Sequence, residues 1–200
     1  MKGFVHGRAG HQYIITSVHQ YIQYISILLK IVLTGPESSG KTTLAKDLAA
    51  HWSAPLVTEY AREYLLHRGG LYDEQDLLTI AKAQFEAERL QLTDRPELCI
   101  CDTDLLVMEI WSEWKYGRCN PWINEKLMRF PGDLYLLCHP GIPWEYDPLR
   151  EHPDQRAQLY ALYQHKLDLY GFQHLEVSGD KAERLQQSNV LISKLLSNNY

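Results

Sequence analysis

The stretch Gly35-Pro36-Glu37-Ser38-Ser39-Gly40-Lys41-Thr42 constrains this chain more than any other feature, because it fits GxxxxGKT in full and separates two different periodicities. Before it runs Ile31-Val32-Leu33, a short apolar stretch of strand character; after it Leu44, Leu48 and Trp52 recur at i, i+4 and i+8, as on one face of a helix. Strand, glycine turn, helix is the order a phosphate cradle needs. Gly35 and Gly40 let the backbone turn so that successive N–H groups converge, and the positive end of the helix dipole adds to them. Lys41 can reach β- and γ-phosphates, and the Thr42 hydroxyl can take one coordination place on Mg²⁺. The expected ligand is ATP with Mg²⁺, held by Gly35, Glu37, Ser38, Ser39, Gly40, Lys41, Thr42 and Thr43.

Further apolar runs at Leu56-Val57, Leu98 to Cys101, Leu134 to Cys138 and Leu175 to Val177 alternate with helical stretches near 74–92, 104–115, 154–170 and 180–196. Five strands separated by helices imply a parallel sheet covered on both faces. The fold class expected is therefore α/β: a P-loop NTPase with three αβα layers and a five-stranded parallel sheet. Two hundred residues with 45% apolar content suffice for one such core.

Residues 1–28 differ from the rest, since no Asp or Glu occurs before Glu37 while His and Tyr are frequent. Ile14, Val18, Tyr21, Ile22, Ile25 and Leu28 have helical spacing, but the β-branched content opposes a stable helix. A tail without a chemical role is expected for 1–28, through disorder or a start assigned too early, and a P-loop kinase domain for 29–200. Apolar runs are far short of the roughly 20 residues of a membrane span. A net charge of -5 leaves no basic surplus for nucleic acid. The four cysteines Cys99, Cys101, Cys119 and Cys138 show no CxxC pair, which suits a reduced, cytoplasmic chain.

The strand Leu98 to Cys101 ends in Asp102-Thr103-Asp104, so these acids emerge at the sheet edge where the phosphates would lie. Asp102 is a candidate for holding Mg²⁺ with Thr42 or for taking a hydroxyl proton. Asp104 either binds substrate or caps the following helix. Glu59, after Leu56-Val57-Thr58, faces the same edge as a candidate base, with Arg62 beside it as a substrate ligand or as its surface ion-pair partner. The Pro-rich stretch from Pro140 to Arg150 reads as a lid whose Arg150, with Arg156, can neutralise a transferring phosphoryl group; alternatively these arginines pair with Glu151 and Asp154. Tyr60, Trp111, Trp114, Trp144 and Tyr146 are each core material taken singly. Together they would suit a flat, cationic ring.

The succession GPESSGKT, EYARE (Glu59 to Glu63), DTD (Asp102 to Asp104) and PWEYDPLR (Pro143 to Arg150) resembles the nicotinamide riboside kinase domain of NadR-type proteins, from about Lys30 to the C-terminus. That resemblance implies a P-loop kinase with a lid, using ATP and Mg²⁺ to phosphorylate the 5′-hydroxyl of nicotinamide riboside. Lys41, Asp102, Glu59, Arg150 and Arg156 would be catalytic, and Tyr60, Arg62, Asp104, Trp111 and Trp144 would contact the nucleoside. The roughly thirty residues upstream of Lys30 are too few for the nucleotidylyltransferase or DNA-binding domains that NadR-type proteins can carry. A kinase for another nucleoside or nucleotide remains a rival, as does a non-catalytic ATP- or GTP-binding module. A GTPase is disfavoured, since NKxD is missing and the DxxG from Asp168 to Gly171 precedes the last strand.

Overall fold

The computed structural model describes residues 3–6, 12–15, 29–94 and 96–198. In chain order the strands and helices are β1 (Gly3–His6), β2 (Gln12–Ile15), β3 (Leu29–Thr34), α1 (Lys41–Trp52), β4 (Leu56–Val57), α2 (Tyr60–His67), α3 (Glu74–Leu92), β5 (Leu98–Asp102), α4 (Leu105–Tyr116), α5 (Pro121–Arg129), β6 (Leu134–Cys138), α6 (Arg156–Tyr170), β7 (His174–Val177) and α7 (Lys181–Asn198). β1 and β2 pair antiparallel, Gly3 opposite Ile15. The helix considered between Ile14 and Leu28 lies mostly outside the described residues.

The main sheet runs β4-β5-β3-β6-β7, all parallel. Its three central strands are buried along their whole length, as strands covered on both faces must be. Alternation divides their side chains between two layers. Ile31, Leu33, Ile100, Leu134 and Leu136 pack with Leu44 and Leu48 of α1 and Ile192 of α7. Val32, Cys99, Cys101, Tyr135 and Leu137 pack with residues of α2 through α6. This is the three-layer αβα arrangement of P-loop kinases.

Two short helices break the expected pattern. Glu59 does not end a strand: β4 stops at Val57, and Glu59 is the N-cap residue of α2. α5 follows Asn120, whose side chain accepts from the Trp122 N–H, with Pro121 as its first residue. β3 is the central strand of this sheet, with β5 on one flank and β6 on the other. The crevice between the carboxyl ends of these strands is where such sheets hold ligands.

Candidate active site

The glycine turn leaves β3 at its carboxyl end. Gly35 has φ +130°, and a Cβ there would lie 2.8 Å from the Cys138 carbonyl oxygen, so the loop passes directly over the end of β6. Ser38 (φ 51°) and Gly40 (φ 84°) also take left-handed conformations. Gly40 is the N-cap of α1 and no side chain caps that helix, so its first N–H groups are free for an anion. Lys41 Nζ donates to the carbonyls of Gly35 (2.9 Å) and Pro36 (2.8 Å), which holds its charge at the loop's mouth.

β5 and β3 pair so that Asp102 lies opposite Leu33. Asp102 is 3% exposed and lies near enough to the Thr42 hydroxyl for it to act on the carboxylate, while its Oδ1 is buried without a partner among the described residues. Burial raises its pKa, against the opposing effects of Thr42, Lys41 and Lys46. A buried carboxylate oxygen left open beside a hydroxyl fits a hard cation, so the residues present suit Mg²⁺. Among the described residues no group of three or more His, Cys, Asp or Glu is arranged for a metal. Phosphate oxygens and water would have to complete the shell.

Thr103 follows with φ 74°, and this left-handed step turns Asp104 inward. Asp104 is 2% exposed; its Oδ1 accepts from the Leu106 N–H (2.9 Å) and its Oδ2 from the Tyr135 hydroxyl (2.8 Å). It caps α4 and contributes no atom to the cleft, contrary to its candidacy as a substrate ligand.

The cleft has a volume of about 370 Å³. The phosphate loop, Gly35 to Thr43, forms one end. Glu59, Ala61, Arg62 and Leu65 from the start of α2, Val107, Ile110, Trp111 and Trp114 from α4, and Leu159 and Tyr163 from α6 form the rest, under the segment 142–152. Glu59 is partly buried, and its pKa is raised first by burial; Lys41 opposes this and Asp102 adds to it. Arg62 does not pair with Glu59 but with Asp147, at 2.6 Å.

The segment 142–156 is fastened to the phosphate loop. Ser38 Oγ accepts from the Glu145 N–H (3.1 Å) and from Arg150 Nη1 (3.4 Å), and Arg156 Nη1 donates to the carbonyls of Ser38 and Ile142, both at 3.1 Å. These contacts, rather than pairing with Glu151 or Asp154, occupy the two arginines. Trp144 lies between them, its ring centroid 5.8 Å from the Arg150 guanidinium and 5.7 Å from that of Arg156, and it does not line the cleft. Tyr60 also stands outside the cleft, with its N–H bonded to Gln84 and its ring packed beside Tyr64.

Tyr163, Leu159 and Tyr72 escaped the sequence reading. Tyr163 and Leu159 were legible only as the apolar face of a helix. Arg184 is 5% exposed and donates to the carbonyls of Gly179 (2.9 Å), Ser39 (2.7 Å) and His139 (2.8 Å), so it ties the last loop to the phosphate loop. Tyr72 accepts from Trp111 Nε1 (2.7 Å) and donates to Glu151, which joins the cleft wall to the segment above it. A second cavity of about 120 Å³ opens between Gly40, Thr43, Leu44 and Asp47 on one side and Gly179, Lys181 and Arg184 on the other. No described helix is long and apolar enough to cross a membrane.

Comparison with known proteins agrees with this geometry. Residues 30–184 match the AAA domain family. The trifunctional NAD biosynthesis/regulator protein NadR of Salmonella typhimurium is 27% identical over 143 residues, 66% of this chain and 34% of that protein. This chain therefore spans about a third of the length of that relative. Two crystal structures of NadR protein share the fold. One, in complex with NAD and AMP-PNP, has a TM-score of 0.60 and 21% identity over 76% of this chain and 44% of that one. The other, in complex with NR, has a TM-score of 0.62 and 18% identity over 83% and 51%.

Proposed function

This chain belongs to the AAA domain family, and on that premise we propose that it is an ATP-dependent kinase that phosphorylates the 5′-hydroxyl of nicotinamide riboside, giving nicotinamide mononucleotide. The observation that carries the proposal is the meeting of Lys41, Thr42 and Glu59 at one end of an aromatic cleft, with the buried carboxylate of Asp102 next to Thr42. The names of the similar proteins support the acceptor, since they pair NAD biosynthesis with a complex of NR.

In-line phosphoryl transfer asks a protein for placement and charge more than for covalent work. The N–H groups at the start of α1 and the Lys41 ammonium would bind the β- and γ-phosphates. Mg²⁺, held by Thr42 and Asp102, would supply charge neutralisation on those oxygens. The small cavity beside Thr43, Leu44 and Arg184 would take the adenine. Beside the γ-phosphate Glu59 would accept the proton of the 5′-hydroxyl as that oxygen attacks; a carboxylate whose proton affinity burial has raised is suited to this. Arg150 and Arg156 would stabilise charge on the transferred group. The pyridinium ring of the acceptor would rest against Trp111 and Trp114, whose faces attract cations.

The test is turnover of a nucleoside panel by purified protein with ATP and Mg²⁺. Formation of nicotinamide mononucleotide is expected. Turnover of thymidine or another nucleoside, with none of nicotinamide riboside, would replace the acceptor and keep the kinase. ATP binding without any transfer would leave a nucleotide-binding module.

A further inference from the structure

Glu37 belongs to the phosphate loop, and its side chain is held by the overlying segment. Its Oε2 accepts from the backbone N–H of Glu151 (2.9 Å) and of His152 (3.1 Å), more than a hundred residues further along the chain. His152, suspended in this way, lines the cleft. Its ring stands edge-on to that of Trp114, with centroids 6.1 Å apart, and its Nε2 is buried with no hydrogen-bond partner among the described residues.

Leaving a buried ring nitrogen without a partner is costly, and such groups in folded proteins nearly always find one. The surrounding wall cannot serve: Val107, Ile110, Leu159 and the neighbouring faces of Trp111 and Trp114 are apolar. In a largely apolar cleft, the few convergent polar atoms fix the orientation of whatever enters. Arg62 is already paired with Asp147, and Glu59 faces the phosphate end through its coupling to Lys41 and Asp102. The Tyr163 hydroxyl and His152 Nε2 then remain for the body of the acceptor, and of the two His152 Nε2 is the buried atom without a partner among the described residues. We propose that His152 recognises the phosphoryl acceptor by a hydrogen bond from Nε2 to one of its hydroxyl or carboxamide groups, and that Glu37 is the positioning residue that holds His152 in place.

A neutral imidazole can donate or accept through Nε2 according to its tautomer. Hydroxyl and primary amide groups satisfy either form, whereas a bare ring carbon satisfies neither. Glu37 carries this recognition back to the phosphate loop, so the loop that grips ATP also sets one of the contacts made by the second substrate. The inference rests on the kinase reading given above.

Steady-state kinetics on the full chain, with the nucleoside that the wild type phosphorylates, decide the matter. His152→Phe keeps a ring against Trp114 but removes both nitrogens. It is expected to raise the acceptor KM about tenfold, the usual worth of one buried hydrogen bond, with the ATP KM changed less than about twofold. His152→Gln, which restores a hydrogen-bonding group, is expected to recover part of the loss. Glu37→Ala is expected to raise the acceptor KM likewise, and the double variant Glu37→Ala, His152→Phe to be no worse than His152→Phe alone, since Glu37 acts through His152. An unchanged acceptor KM in His152→Phe, or equal increases in both KM values, overturns the recognition role. Losses that multiply in the double variant overturn the positioning role. A wild type that turns over a different nucleoside corrects the acceptor alone, and the same comparison run with that nucleoside still decides His152.

Discussion

Arg62 of α2 and Asp147 of the overlying segment meet at 2.6 Å across the mouth of the cleft. Asp147 is further held by the Leu149 N–H, which is the main reason its pKa is depressed, with Arg62 adding to the effect. Arg62 remains half exposed, so the pair is worth at most about 1 kcal/mol to the fold. Asp147→Asn is therefore expected to move the thermal midpoint by no more than about 3 °C. The same change is expected to raise the acceptor KM several-fold by freeing the segment above the pocket. Differential scanning fluorimetry and kinetics on the one variant check both halves. A large fall in the midpoint with an unchanged KM would make this pair purely structural.

Asp102→Asn removes a charge from a buried site while keeping its shape. The transfer rate is expected to fall by about a hundredfold or more, with a steeper dependence on Mg²⁺ concentration. Stability is expected to hold or improve, because a buried carboxylate is costly when ionised. Turnover measured against Mg²⁺ separates these effects. An unchanged rate would remove Asp102 from both the metal and the base roles.

Glu88 of α3 lies 3.1 Å from Lys30 of β3, deep in the core, and burial pushes its pKa up to about 7 despite the lysine. Its ordinary value is 4.5, so between these limits the folded chain binds a proton that the unfolded chain releases. Stability from this group is therefore present below pH 4.5 and is lost as pH rises through 7. Glu88→Gln keeps a partner for Lys30 and is expected to flatten that part of the profile. Denaturation midpoints of the two proteins from pH 4.5 to 8 give the comparison. Identical slopes would contradict the raised value.

Gly35→Ala is expected to destabilise the chain by about 2 kcal/mol or more and to abolish nucleotide binding. The new Cβ would sit 2.8 Å from the Cys138 carbonyl, at a φ of +130° that alanine avoids. Urea denaturation and calorimetry with ATP measure the two losses. Retained ATP affinity would show that the loop tolerates a shifted path.

Features fixed by neighbours in sequence were legible before the structure. The glycine turn, the strands that end at Asp102 and Cys138, and the long helices α3, α4, α6 and α7 all follow from local periodicity. The short helices were harder. α2 offers just one buried pair, Ala61 and Leu65, although the Asn120-Pro121 start of α5 was a readable cap signal. The substrate side depended on contacts between distant residues. Nothing near Asp104 in the chain signals that Tyr135 will claim it from another strand, or that Thr103 will turn it inward. Arg62 has a carboxylate three residues away in Glu59, yet pairs 85 residues away with Asp147. Spacing along a helix indicated what was near; only the tertiary fold determined which neighbour prevailed.

The span from Ile142 to Arg156 rests on Ser38 and Glu37 at one edge and on Arg62 and Tyr72 at the other. One strip of chain thus leans on both halves of the chamber. Whichever guest arrives first would stiffen the seat of the other, so each would lengthen the other's stay, and a triphosphate arriving alone would meet a looser roof than one sharing the room with its intended recipient.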